Sequence, residues 1–261
     1  MSRLHYEAMG EGPALLMLHG LFGSGTNWRS IARRLLPGRR IVLVDARNHG
    51  RSPHAADMSY AQMADDVLAL MDDLDLPQAT LLGHSMGGKT AMTLALRHPE
   101  RVQRLIVADI APVRYRDHDH MPLIEAMRAL PLTSLRNRAE ADELLSASVA
   151  DRSLRAFLLH NLESRPDSTG GYRWRINLDA IEAGLADLFD FEGMLDGRYD
   201  GPVLFVRGGH STYVSDEDFA QARRWFPHAV LRTVDGAGHW LHAEQPEAFT
   251  NIVNAFMEQP G

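Results

Sequence analysis

The 261 residues are enough for one large α/β domain with room for an insertion, and 45% are hydrophobic, so a sizeable core can be buried. A net charge of −7 argues against a nucleic-acid partner, because phosphate recognition needs a basic face. The absence of cysteine removes disulfides, thiolate metal sites and cysteine nucleophiles together, and it fits a reducing compartment.

The first residues are polar, with Glu7 and Glu11, and the first apolar run, Ala14–Leu18, is far too short to span a bilayer. Neither a signal sequence nor membrane insertion is expected, and the expected location is cytoplasmic. From residue 14 short apolar runs alternate with helical patterns. "ALLMLHG" (14–20) reads as a buried strand entering a glycine turn, "SIARRLL" (30–36) as a helix stopped by Pro37, and "RIVLVDARNHG" (40–50) as a second strand and its turn. "SYAQMADDVLALMDDLDL" (59–76) is an amphipathic helix with Ser59 at its N-cap. "ATLLGHS" (79–85) is a strand, "MGGKTAMTLALRHP" (86–99) a helix closed by proline, and "VQRLIVADI" (102–110) another strand.

The alternation stops near Ala111. Residues 111–200 read as mostly helical and highly charged, with one short strand at "YRWRIN" (172–177). It resumes with a strand at 201–209, a helix at 215–227, a strand and loop at 229–240 and a last helix at 245–259. Continuous apolar strands alternating with helices imply a mostly parallel sheet covered on both faces. The expected organisation is therefore an α/β core, 1–110 and 201–261, interrupted by a helical insertion, 111–200. Insertions at the carboxyl ends of parallel strands sit where ligands bind, so this one is expected to act as a cap.

Ser85 is the centre of a G-x-S-x-G pattern, in "TLLGHSMGGKT", between an expected strand and an expected helix. Gly83 and Gly87 let the two elements close around a sharp turn, which lifts the serine oxygen above the sheet and sets helix amides behind it. Two backbone donors are expected to stabilise an oxyanion: the amide of Met86, and one from "HGLFGSGTNW" (19–28), with Leu21 the first choice and Phe22 the second. His19 is expected to hold that loop by a hydrogen bond. The general base is expected to be His239, on the glycine-bounded loop of "DGAGHWLHAEQP", after the last strand and before the last helix. His242, three residues on, has no expected chemical role, and His49, His54 and His84 have no comparable context.

Taken together, "LHGLFGSGTNW", "VDARNHGRSPH", "LLGHSMGGKTAM", "ADIAPVRY", "RWRINLDAI" and "AGHWLHAEQP" resemble the α/β-hydrolases, and within them the YbfF-type bacterial esterases and their mitochondrial relatives. The resemblance runs over essentially the whole chain. It implies an α/β-hydrolase fold and a hydrolase acting on small-molecule esters or thioesters. In most of that superfamily the triad acid follows the strand written here "VLFVRGG", in a G-x-x-D pattern. This chain has Gly208, Gly209, His210 and Ser211 there, and no carboxylate before Asp216. Asp216 begins a helix, where a capping role is natural.

Asp109, at the end of the strand after the serine helix, is the preferred acid. Some branches place the acid there, and a carboxylate in an apolar strand needs a partner such as a histidine. Asp179, in "INLDAI", is a weaker alternative that also reads as a helix start.

"DARNHGRS" is expected to be a structural turn, with Asn48 tolerating left-handed backbone. Lys89, near the positive end of the serine helix, is expected to pair with a carboxylate and to take no part in catalysis. Trp28, Trp174 and Trp240 can line an acyl pocket or pack in the core; with Phe22, Trp240 is the preferred lining residue. "RDHDHMP" (116–122) is expected to be a solvated cap loop rather than a metal site. No phosphate-binding loop and no H-E-x-x-H occur, so no cofactor and no metal are expected.

The leading expectation is a serine esterase or thioesterase for short to medium acyl chains, working through Ser85, His239 and Asp109. The same triad serves carbon–carbon bond hydrolysis or cofactor-free haloperoxidase chemistry, and a non-enzymatic binding module would retain only the fold.

Overall fold

The structure is a computed structural model that describes residues 4–115, 120–165, 171–191 and 197–259. Its centre is a seven-stranded sheet: β1 (Tyr6–Met9), β2 (Ala14–Leu18), β3 (Arg40–Val44), β4 (Ala79–His84), β5 (Val102–Ala108), β8 (Val203–Gly208) and β9 (Ala229–Val234). The spatial order is β1-β3-β2-β4-β5-β8-β9. All neighbouring pairs are parallel except β1 with β3, which is antiparallel. The interior strands β2 and β4 are buried at every position, as their unbroken apolar runs require. β1 was not expected from the sequence. It is a half-exposed edge strand with no apolar run.

On one face lie α2 (Tyr60–Asp73) and α3 (Met86–Arg97); on the other lie α1 (Arg29–Leu35) and α10 (Pro246–Met257). Ser59 caps α2, its side chain accepting from the Gln62 amide, as expected. A four-residue helix, α9 (Leu241–Glu244), precedes α10 and was also not expected. α8 (Asp216–Ala222) is shorter than its sequence pattern. Its N-cap is Ser215, in a capping box with Asp218, so the capping role expected of Asp216 falls to its neighbour.

Between β5 and β8 the chain forms α4 (Met121–Arg128), α5 (Arg138–Ser146), α6 (Arg152–Leu159), a two-stranded antiparallel ribbon of β6 (Leu162–Ser164) and β7 (Tyr172–Trp174), and α7 (Leu178–Phe189). Of the two ribbon strands only β7 was foreseen; the helices fall in a segment read as mostly helical, and α7 begins at the helix start read in "INLDAI". Polar bonds tie this segment to the sheet-bearing part. Tyr60 Oη donates to the Leu188 carbonyl (2.8 Å), Asn161 Nδ2 to the Phe22 carbonyl (2.7 Å) and Asn177 Nδ2 to Asn48 Oδ1 (3.0 Å). No helix among the described residues is long and apolar enough to cross a membrane.

Candidate active site

Ser85 has φ 52° and ψ −118°, left-handed backbone between β4 and α3. The flanking glycines explain how the turn fits. A Cβ on Gly83 would lie 2.2 Å from the Gly87 carbonyl oxygen, and one on Gly87 would lie 2.4 Å from the Leu18 carbonyl oxygen. Larger residues would force strand and helix apart, so the sequence pattern reports a real steric need.

Asp109 follows β5 directly, also left-handed at φ 52°, and its side chain is fully buried. Its carboxylate is satisfied on both oxygens. Oδ1 accepts from the Gly208 amide (2.8 Å). Oδ2 accepts from His239 Nδ1 (2.8 Å) and from the Ser211 hydroxyl. The other two carboxylates considered lie elsewhere and are exposed: Asp179 pairs with Arg128, and Asp216 with Arg207 (2.7 Å). Ser211 occupies the final position of the G-x-x-D pattern. The residue at the usual acid position therefore donates to Asp109. Its place in that pattern was the available signal, but its partner is 102 positions away.

His239 lies on the loop after β9. With Nδ1 donating to Asp109, the Nε2 lone pair faces outward. Its ring stacks on Tyr213, centroids 3.9 Å apart and planes 19° apart. Its main-chain carbonyl accepts from His84 Nε2 (2.8 Å). The rings of His84 and His239 are 4.6 Å apart, and those of His84 and His242 4.7 Å. Burial, followed by the field of His239, drives the His84 ring well below the usual imidazole range and His242 down to about 3. Both stay neutral near pH 7, so neither opposes positive charge on His239. Sequence reading missed this cluster, because neither residue has a local signature.

The loop after β2 is organised by two further neutral histidines. His19 Nδ1 donates to the Gly20 carbonyl (2.8 Å), and its Nε2 accepts from the Ala46 amide (3.0 Å), the loop-holding role expected of it. His49 donates to the Arg47 carbonyl (2.9 Å) and accepts from the Phe22 amide (3.2 Å). The Phe22 amide, the second choice for an oxyanion donor, is thus engaged by His49.

Ser85 and His239 line one cavity of about 550 Å³ together with Leu21, Phe22, Phe157 and Trp240. Trp28 also borders it, packed 4.4 Å from His242. Trp174 does not; its indole donates to the Met127 carbonyl (3.0 Å). A second space of about 30 Å³ that Ser85 also borders is lined by Leu21, Met86, Ile110, Leu188 and Lys89.

Two expectations need correction. Among the described residues no carboxylate forms an ion pair with Lys89: its side chain is buried, Nζ donates to the carbonyls of Val113 (3.2 Å) and Leu188 (3.3 Å), and it lies over the Tyr115 ring at 4.8 Å. His120 is no solvated loop residue, since it lines both spaces and stacks on Phe22 at 6.0 Å. Residues 116–119 of the same stretch lie outside the described residues. Among those described, no group of three or more His, Asp or Glu side chains is placed to hold a metal ion.

A profile described as the alpha/beta hydrolase fold matches residues 13–246. The chain belongs to that family. It is 43% identical over 252 residues to an sn-1-specific diacylglycerol lipase, ABHD11, of Mus musculus, a match that covers 94% of this chain and 81% of that protein. It is 32% identical to the esterase YbfF of Escherichia coli, covering 93% and 92%. A solved marine microorganism esterase superposes with a TM-score of 0.94 at 42% identity, covering 98% of this chain and 100% of that one. The chain is a carboxylesterase-type hydrolase, and its substrates are small-molecule esters.

Proposed function

We propose that the chain hydrolyses carboxylic esters or thioesters of short to medium acyl chains through an acyl-enzyme on Ser85. His239 is the general base and acid, Asp109 orients it, and the amides of Leu21 and Met86 hold the oxyanion. The observation that carries this reading is the 2.8 Å bond from His239 Nδ1 to the buried Asp109, on a loop that shares a cavity with Ser85.

Ser85 Oγ attacks the acyl carbonyl carbon as its proton passes to His239 Nε2. The carbonyl oxygen takes the negative charge, at the N-terminus of α3. The intermediate collapses, the bond to the alcohol or thiol breaks, and the leaving atom takes the proton from Nε2. Water then attacks the acyl-enzyme, gives a proton to Nε2, and the acid departs as Ser85 regains its hydrogen. Residues 111–200 act as the cap over this site, on the core formed by 1–110 and 201–261.

The test is a fluorophosphonate probe combined with a substrate panel of p-nitrophenyl esters, acyl thioesters, a vinylogous diketone and a halogenation assay. The expected result is labelling at Ser85 and turnover of the esters, both lost in Ser85→Ala. Full ester turnover by Ser85→Ala would sink the reading. Turnover of the diketone or halogenation alone would favour one of the two other chemistries.

A further inference from the structure

The two spaces beside Ser85 differ in size and in what lines them. The larger, about 550 Å³, includes His239 in its wall, with Leu123, Leu154, Phe157 and Trp240. No lysine or arginine is among its described lining residues, and Glu244 is its one carboxylate. The smaller, about 30 Å³, lies on the Met86 side, and His239 is not part of its lining. Given the reading of Ser85 above, on which this inference rests, the chemistry assigns each half of the substrate. The leaving oxygen or sulfur must take a proton from His239 Nε2, so the leaving group must occupy the space that His239 borders. The acyl group stays bonded to Ser85 and needs the remaining space.

We infer that the preferred substrates pair a short acyl group, about two to four carbons, with a bulky, uncharged, apolar alcohol or thiol. The smaller space admits about two water-sized groups, each needing roughly 10–15 Å³. Its far wall is built to resist widening. Lys89 is buried there, with Nζ bonded to the carbonyls of Val113 (3.2 Å) and Leu188 (3.3 Å). Tyr60 Oη donates to the same Leu188 carbonyl (2.8 Å). A longer acyl chain would have to part these bonds and leave buried polar groups without partners. The opposite side presents apolar side chains to the alcohol, with Phe157 and Trp240 in ring contact at 5.8 Å.

Two ester series on the wild-type protein test this directly. With p-nitrophenol as the fixed leaving group, kcat/KM for acetate and butyrate should exceed that for decanoate by about 100-fold. With acetate as the fixed acyl group, 2-phenylethyl acetate should exceed ethyl acetate by about tenfold. Leu188→Ala, or the milder Leu188→Val if the first folds poorly, should move the acyl optimum to longer chains and keep the alcohol order. Phe157→Ala should remove the 2-phenylethyl advantage and keep the acyl optimum. A wild-type preference for decanoate over butyrate overturns the assignment, as does a Leu188 variant that changes the alcohol order alone. Absence of any ester turnover, with Ser85 unlabelled, defeats the hydrolase reading of Ser85 and this inference with it.

Discussion

Replacing Asp109 with asparagine keeps the side chain's shape and changes what its outer edge can do. In the native protein Oδ1 accepts from the Gly208 amide (2.8 Å), while Oδ2 accepts from His239 Nδ1 (2.8 Å) and from Ser211. An asparagine must turn its oxygen to Gly208, because an NH₂ there would set two donors against each other in a fully buried site. The NH₂ then faces His239 and Ser211. It donates to Nδ1 and drives the imidazole proton to Nε2, the atom that must accept from Ser85. The same change in a model triad lowers kcat by about 10⁴, or about 5.4 kcal/mol of barrier. Asp109 lines neither space beside Ser85, so KM should stay close to wild type. Steady-state hydrolysis of p-nitrophenyl butyrate, with a melting curve to confirm folding, measures both quantities. A kcat within about tenfold of wild type would refute the tautomer argument and Asp109 as the triad acid.

Ser211→Ala removes one donor to the same carboxylate and should lower kcat by about tenfold, whereas Ser211→Thr keeps the hydroxyl and should keep most of the rate; equal rates in both variants would show that the bond is idle. Gly50→Ala sets a Cβ 2.1 Å from Asp45 Oδ2 at a backbone φ of 56°. Because Asp45 holds the Gly25 amide (2.7 Å) and the Arg51 amide (2.8 Å), the variant should lose about 3 kcal/mol of stability in a denaturant titration, and an unchanged midpoint would count against the turn's structural role. Lys89 makes stability depend on pH. Burial pushes its ammonium down to about 7, against the opposing pull of Asp190. Below pH 7 the lysine is charged in both folded and unfolded chains, and its desolvation penalty is fully present. Between about 7 and the ordinary lysine value of about 10.4 the folded chain binds fewer protons than the unfolded one, so stability rises with pH. The unfolding free energy of wild type relative to Lys89→Met should therefore increase by about 2 kcal/mol from pH 7 to pH 9, and a flat difference would refute the assignment.

The features legible in the sequence were those whose cause is local. Unbroken apolar runs marked the interior strands, and the glycines around Ser85 marked a turn that would otherwise clash, as the close approach of Gly87 to Leu18 shows. Ser59 and the helix it caps were readable for the same reason. β1 was not, because an edge strand paired on one side alternates between exposed and half-buried positions and needs no apolar run. Lys89 was misread because its partners come from both ends of the inserted segment. At residue level nothing announces that two main-chain carbonyls and an aromatic ring will surround an ammonium. The histidines beneath His239 were illegible on the same ground, since His84 reaches a carbonyl 155 positions away.

Asp109 shows how a vacancy in a sequence pattern becomes readable once strand order is known. β5 pairs directly with β8, Ala108 opposite Val206, so the residues that follow the two strands emerge side by side. Asp109 leaves the end of one strand, and Gly208 and Ser211 lie at the end of the other. All three meet at one carboxylate. A carboxylate rooted at either strand end has a short path to the loop carrying His239. In the proposed triad the residue after β5 supplies the charge, and the position in the usual pattern supplies a hydroxyl to steady it. What the histidine requires is an acceptor at Nδ1, and adjacent strands offer two places from which to provide it.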